Sequence, residues 1–218
     1  MNDRKRAVRY GISFVILAVL LIFLFIWNVN SGSIHLSVQE ILNIIFRHQG
    51  DEISYNIVWE IRLPRILSVI ILGGALSVSG FLLQTFFNNP IAGPFVLGIS
   101  SGAKLIVAFL MIFLLSRSVS IGSGAMILAA FAGSMISMGF VLLVAKKVHN
   151  MSMLVISGVM IGYICSAITD FVVTFADDSN IVNLHNWSLG SFSGMTWQSV
   201  RLMAVLVLLG VCVSFLLA

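Results

Sequence analysis

Six runs of about twenty mostly apolar residues, near 10–28, 66–84, 96–115, 123–145, 153–175 and 200–218, constrain this chain more than any other feature. Each is long enough to cross the roughly 30 Å hydrocarbon core of a bilayer. A backbone inside that core has no water to bond, so each crossing is expected to be a helix that closes its own hydrogen bonds. The fold class that follows is all-α and integral to the membrane, with about six transmembrane helices. Only 9% of the residues are charged, against roughly 25% in a soluble domain, which excludes a soluble enzyme. The net charge of +4 comes from scattered basic residues beside apolar runs. That pattern fits a lipid bilayer and its topology signals rather than nucleic acid.

The first run follows Arg4, Lys5, Arg6 and Arg9 and ends in Phe25-Ile26-Trp27. A signal peptide has an apolar core of only about 7–15 residues and a small-residue cleavage site. This run is therefore expected to be a retained anchor with a cytoplasmic N-terminus. Six crossings then put 88–94 and 146–151 inside, where Lys146 and Lys147 join the N-terminal cluster, while Arg47, Arg62, Arg65, Arg117 and Arg201 fall outside. The outer connection 31–61 is too polar to span. Within it Ser37 and Glu40 have capping-box spacing, Leu36 and Ile41 are placed as a hydrophobic staple, and a short amphipathic helix is expected to follow.

Few residues suggest chemistry. Cys165 and Cys212 lie in separate apolar runs, and His35, His48, His149 and His185 are far apart, so neither set makes a metal or disulfide framework. No cofactor or metal site is expected. Gly98 to Lys104 is glycine-rich but lacks phosphate-loop spacing, and Leu105 stands where a hydroxyl would be needed. Asp170 is an acid within an apolar run and so a functional candidate. It also lies only about 9 Å from the outer end of its span, close enough to reach water. Gly158, Gly162, Ser166 and Thr169 share one face of the fifth span, as either a helix-packing groove or a pathway lining.

Residues 62–103, RLPRILSVIILGGALSVSGFLLQTFFNNPIAGPFVLGISSGA, carry a family resemblance. Their RLPR, the small residues Gly73, Gly74, Ala75, Ser77, Ser79 and Gly80, the Asn89-Pro90 turn and LGISSGA resemble the FecCD-type permease subunits of type II ABC importers. Trp187-Ser188-Leu189-Gly190-Ser191 matches that family's W-x-x-G-S stretch. The resemblance implies a permease for iron-siderophore-type chelates, in the bacterial cytoplasmic membrane, which itself does no catalysis. Its implied partners are cytoplasmic ATP-binding cassette subunits, an extracytoplasmic substrate-binding protein and a second permease subunit. It implies that Arg62 and Arg65 receive carboxylates of the binding protein, where the residues alone allow ordinary headgroup contact. It also implies that Gly158, Gly162, Ser166 and Thr169 line the pathway and that Met151 and Ser152 sit at the cytoplasmic gate. Met151 stands where small hydroxyl residues are common.

The family fold has ten helices, so residues 1–218 correspond to its N-terminal part, an incomplete single transmembrane permease domain. The loop that seats on the ATPase and the later docking arginines are expected to be missing. Haem or cobalamin import is an alternative within the family. An inactive truncated remnant and a non-ABC membrane protein are alternatives outside it, the last weakened by the lack of a clear internal repeat.

Overall fold

The computed structural model describes residues 3–32, 34, 36–115, 123–148 and 151–217. These residues are helical apart from short connections, with no strand among them. They divide into two compact units, one formed by residues 1–73 with 192–218 and the other by 74–191. Among the described residues, five helices are long and apolar enough to cross a membrane: Arg4–Asn30, the helical run Glu52–Phe86, Gly124–Ala145, Ser152–Val173 and Trp197–Leu217. The expected crossing at 96–115 is the shorter helix Ile99–Leu115, because residues 94–98 form turns.

The first unit contains α1 (Asp3–Asn30), α2 (Val38–Arg47), α3 (Glu52–Asn56), a π-helical segment (Ile57–Arg62), the start of α4 (Leu63–Phe86) and α9 (Trp197–Leu217). The capping box forms as the sequence requires. The Ser37 hydroxyl accepts from the Glu40 amide at 3.3 Å, and the Glu40 carboxylate accepts from the Ser37 amide at 2.8 Å. Leu36 and Ile41 are buried in one cluster with Val29, Ile44, Val58, Leu63 and Ile66. Helix α2 is thereby held against the end of α1 and the π segment rather than left on the surface. Helix α3, which the sequence did not reveal, starts at Asp51, whose carboxylate accepts from the Ser54 amide at 3.1 Å. Hydrogen bonds from Ser54 hold the Asp51 carboxyl below its ordinary pKa.

A proline usually disfavours helical geometry in the residue before it. Here Leu63 has φ −61° and ψ −49°, and the helix runs straight through. The reason is the π register before it. The Leu63 amide bonds the carbonyl of Val58, five residues back, so the turn is wide where a proline ring would otherwise strike the carbonyl four residues earlier. The run from Glu52 to Phe86 is 35 residues, about 52 Å at 1.5 Å per residue. That exceeds the roughly 30 Å hydrocarbon core, so its polar first third has room to stand outside the bilayer.

The second unit contains the rest of α4, a turn region over 87–98, α5 (Ile99–Leu115), α6 (Ser123–Ala145), α7 (Met151–Val173) and α8 (Asp178–Leu189). Phe87, Ala92 and Leu97 of the turns are buried with Val141, Leu154 and Val155. Val107, Ala108 and Met111 of α5 are buried with Ala129 and Leu184. Bare backbone sets the helix spacing. A methyl group at Gly102 would overlap the Ser137 hydroxyl, and one at Gly133 would overlap the Gly102 carbonyl. Between helices surrounded by lipid there is little hydrophobic driving force, so close backbone approach and dispersion must supply the association.

Candidate functional site

The two arginines of the RLPR stretch have different fates. Arg62, the last residue of the π segment, is only 9% exposed. Its Nη1 donates to the Val29 carbonyl at 2.7 Å and its Nη2 to the Ile34 carbonyl at 2.9 Å. Val29 lies in the last turn of α1, where carbonyls have no intrahelical partner, so Arg62 caps that helix with a positive charge. Gly32 has no side chain because the Arg62 guanidinium occupies the space where one would stand. Of the two arginines expected at the docking surface, Arg62 is committed to the connection between α1 and α2, and Arg65 is exposed.

Proline explains a second contact in this unit. In the register that joins Leu63 to Val58, the next donor would be residue 64 and its acceptor the Trp59 carbonyl. Pro64 has no N–H, so that carbonyl needs another donor. The indole Nε1–H of Trp197 supplies it at 2.9 Å, tying α9 to the π segment. The Trp59 and Trp197 rings lie 5.3 Å apart, and His48 meets the Trp59 ring edge-on at 4.6 Å. Tyr55 stacks on Trp59 at 6.1 Å, with its hydroxyl 3.4 Å from His48 Nδ1. His48 caps α2 in a left-handed conformation, φ 54°. The sequence offered single aromatic residues and a lone histidine; only the fold joins them.

The stripe on α7 is brought together as expected, but it is not an open wall. Gly158 and Gly162 face the turn before α5, where Leu97 and Gly98 leave no room for side chains on them. Gly98 itself has φ +73°, and a Cβ on it would lie 2.7 Å from the Gly158 carbonyl. Ser166 donates to the Ser101 hydroxyl at 3.4 Å, and Thr169 turns back to the Cys165 carbonyl at 2.8 Å, with 1% of its surface exposed. In this structure the four residues pack against α5 and the turn before it, and against α7 itself. Beside this stripe Tyr163 and Asp170 are exposed, as is Met160 on the opposite face of α7.

Helix α7 begins at Met151, so Met151 and Ser152 form its first turn, and Ser152 is exposed. The Met151 side chain, His35, Arg117, His149 and Asn150 lie outside the described residues. The stretch around Trp187 is helix α8, ended by Gly190 at φ 75°. Its Asn180 and Leu184 are buried, and Trp187 packs beside Leu184 on the α5 cluster. Asp177 before Asp178-Ser179-Asn180-Ile181 was the signal that could have located this helix start.

Long apolar helices, a glycine-spaced bundle and a capped polar end define a multi-span membrane protein. The chain belongs to the FecCD transport family, whose family model matches residues 20–218. It is 38% identical over 157 residues to the vitamin B12 import system permease protein BtuC of Salmonella paratyphi A, covering 71% of this chain and 47% of that protein. It is 39% identical over 159 residues to the same-named protein of Klebsiella pneumoniae, covering 72% and 47%. The chain therefore spans about half the length of the curated relatives it matches. A solved structure described as an inward-facing conformation of a metal-chelate type ABC transporter shares the fold, with a TM-score of 0.72 at 24% identity over 88% of this chain and 57% of that one.

Proposed function

We propose that this chain forms membrane-spanning helices of the permease of an ATP-driven importer for bulky metal chelates. The observation that carries this reading is the family match over residues 20–218. In this reading the N-terminus is cytoplasmic, in the bacterial inner membrane. An extracytoplasmic binding protein delivers the cargo, a second permease subunit completes the path, and cytoplasmic ATP-binding cassette subunits supply the energy. Arg65 is the docking cation for a carboxylate of the binding protein, and Arg62 fixes the platform from which Arg65 projects; an arginine fork suits a carboxylate. The first turn of α7, Met151–Ser152, serves at the cytoplasmic gate. Helix α7 borders the path through its exposed Tyr163 face, while Gly158, Gly162, Ser166 and Thr169 set its spacing from α5.

For the cargo, a ferric siderophore and a corrinoid are both metal chelates of suitable bulk. The vitamin B12 permeases among the relatives favour the corrinoid. The test is uptake into proteoliposomes holding the intact permease and its ATP-binding subunits, with binding protein and ATP supplied. Uptake of cyanocobalamin in preference to ferric siderophores would support the corrinoid reading, and the reverse preference the siderophore reading. ATP-independent uptake driven by a proton gradient would reject the importer reading altogether.

A further inference from the structure

We propose that a groove between α1 and α4 holds one acyl chain of an anionic phospholipid, with the lipid phosphate on the Arg65 guanidinium. The groove has a volume of about 590 Å³, inside the roughly 300–1,000 Å³ range of sites that enclose small molecules. Leu17, Leu20, Leu21 and Leu24 of α1 form its long wall, Val69 and Ile70 of α4 line the part nearest Arg65, and Phe192 borders it.

Three features select a lipid. The first is length. From Leu17 to Asn28 the α1 wall runs about 16 Å at 1.5 Å per residue, close to half of the roughly 30 Å hydrocarbon core. That is the depth of one leaflet. The second is the order of chemistry along the groove: branched aliphatic side chains line its length, and its polar side chains, Asn28 and Arg65, stand with Trp27 at one end. A phospholipid has the same sequence of tail, ester and phosphate, and tryptophan favours that interfacial level. The third is charge. Arg65 is exposed and makes no ion pair among the described residues. A guanidinium fork binds phosphate oxygens in pairs. A zwitterionic headgroup would also bring an ammonium with no acid to receive it, so the lone cation favours a net anionic lipid.

Leucine and isoleucine line this groove, where the second unit uses glycine. Large side chains hold backbones apart, and a flexible hydrocarbon chain can fill the space that remains. The site lies at the end of α1 away from Arg4, Lys5 and Arg6, hence in the leaflet opposite that cluster. Docking through Arg65 would exchange phosphate for carboxylate. The lipid proposal goes beyond the importer reading and is tested by retention rather than transport, so the two can fail separately.

The experiment places the intact protein in vesicles of equal parts phosphatidylethanolamine and phosphatidylglycerol, extracts it in mild detergent and counts retained lipids by native mass spectrometry. The expected result is a retained phosphatidylglycerol, enriched several-fold over its supply. Leu21→Trp, and independently Val69→Phe, should fill the groove and abolish retention in protein that keeps its helicity. Arg65→Gln should keep a lipid but lose the headgroup preference. Retention in proportion to supply would overturn the proposal, as would retention unchanged by both groove-filling variants. So would equal binding of glycerophosphoglycerol, which has the headgroup but no chains.

Discussion

The two units solve the problem of membrane packing in opposite ways. The first is fastened by individual polar contacts at one end of its helices: the Ser37–Glu40 box, the Arg62 cap and the Trp197 indole on the Trp59 carbonyl. Along their lengths α1 and α9 are almost bare, with large apolar side chains exposed throughout. The second unit has few such fasteners and is held by missing side chains, with Gly98 against Gly158 and Gly162, and Gly102 against Gly133. A polar fastener can be removed and leave the rest of its unit in place. A glycine contact admits no side chain, so its loss moves whole helices.

This contrast sets a ranking of effects. Gly133→Leu should be the most damaging, because a new side chain would overlap the backbone carbonyl of Gly102, which cannot yield. It should abolish recovery of folded protein in detergent, whereas Gly139→Leu, where nothing lies within 4 Å of the Cβ position, should be tolerated. Equal yields from the two variants would remove the distinction between the units.

Next comes Arg62. Charge-assisted hydrogen bonds contribute about 1.5–3 kcal/mol each, so Arg62→Ala should cost about 3 kcal/mol or more, with two carbonyls left without a donor. Gly32→Ala should reproduce much of this loss by evicting the guanidinium, although it removes no hydrogen-bonding group itself. Thermal unfolding with and without both changes checks the coupling: the double variant should lose little more than Arg62→Ala alone.

Trp197→Phe keeps an aromatic ring but deletes the donor to Trp59, so about 1–3 kcal/mol should be lost, the cost of an unsatisfied carbonyl. Here the readout is faster amide exchange in α9 and the π segment, with α5 to α7 unaffected.

The smallest effect is at Asp51. Its carboxyl is held below the ordinary range by Ser54, so the cap is complete above that range and is lost as pH falls through the lowered pKa. Ser54 amide exchange should quicken over that acid window, and Asp51→Asn should remove the step.

How much of this could be read in the sequence follows from the range of each interaction. Crossings such as 123–145 were legible because hydropathy is a sum over one segment, and the box at Ser37 because its partner is three residues away. The bonds of Arg62 were not legible because its acceptors lie 33 and 28 residues back in the chain. The unbroken helix at Pro64 was not legible because the usual proline clash assumes an α register, and nothing in IVWEIR announces a π turn. The face of α7 was legible as a stripe of small residues, but periodicity cannot say whether such a stripe meets a helix or a lumen. Gly98, which the stripe packs against, stands sixty residues earlier in the chain.

The central claim is that these helices belong to a permease coupled to ATP hydrolysis and engaged from outside through Arg65. ATP turnover by the intact permease with its ATP-binding subunits, in liposomes, tests it most directly. The account predicts that the extracytoplasmic binding protein stimulates turnover several-fold and that Arg65→Glu weakens this stimulation while leaving basal turnover unchanged. Turnover indifferent to the binding protein would contradict it.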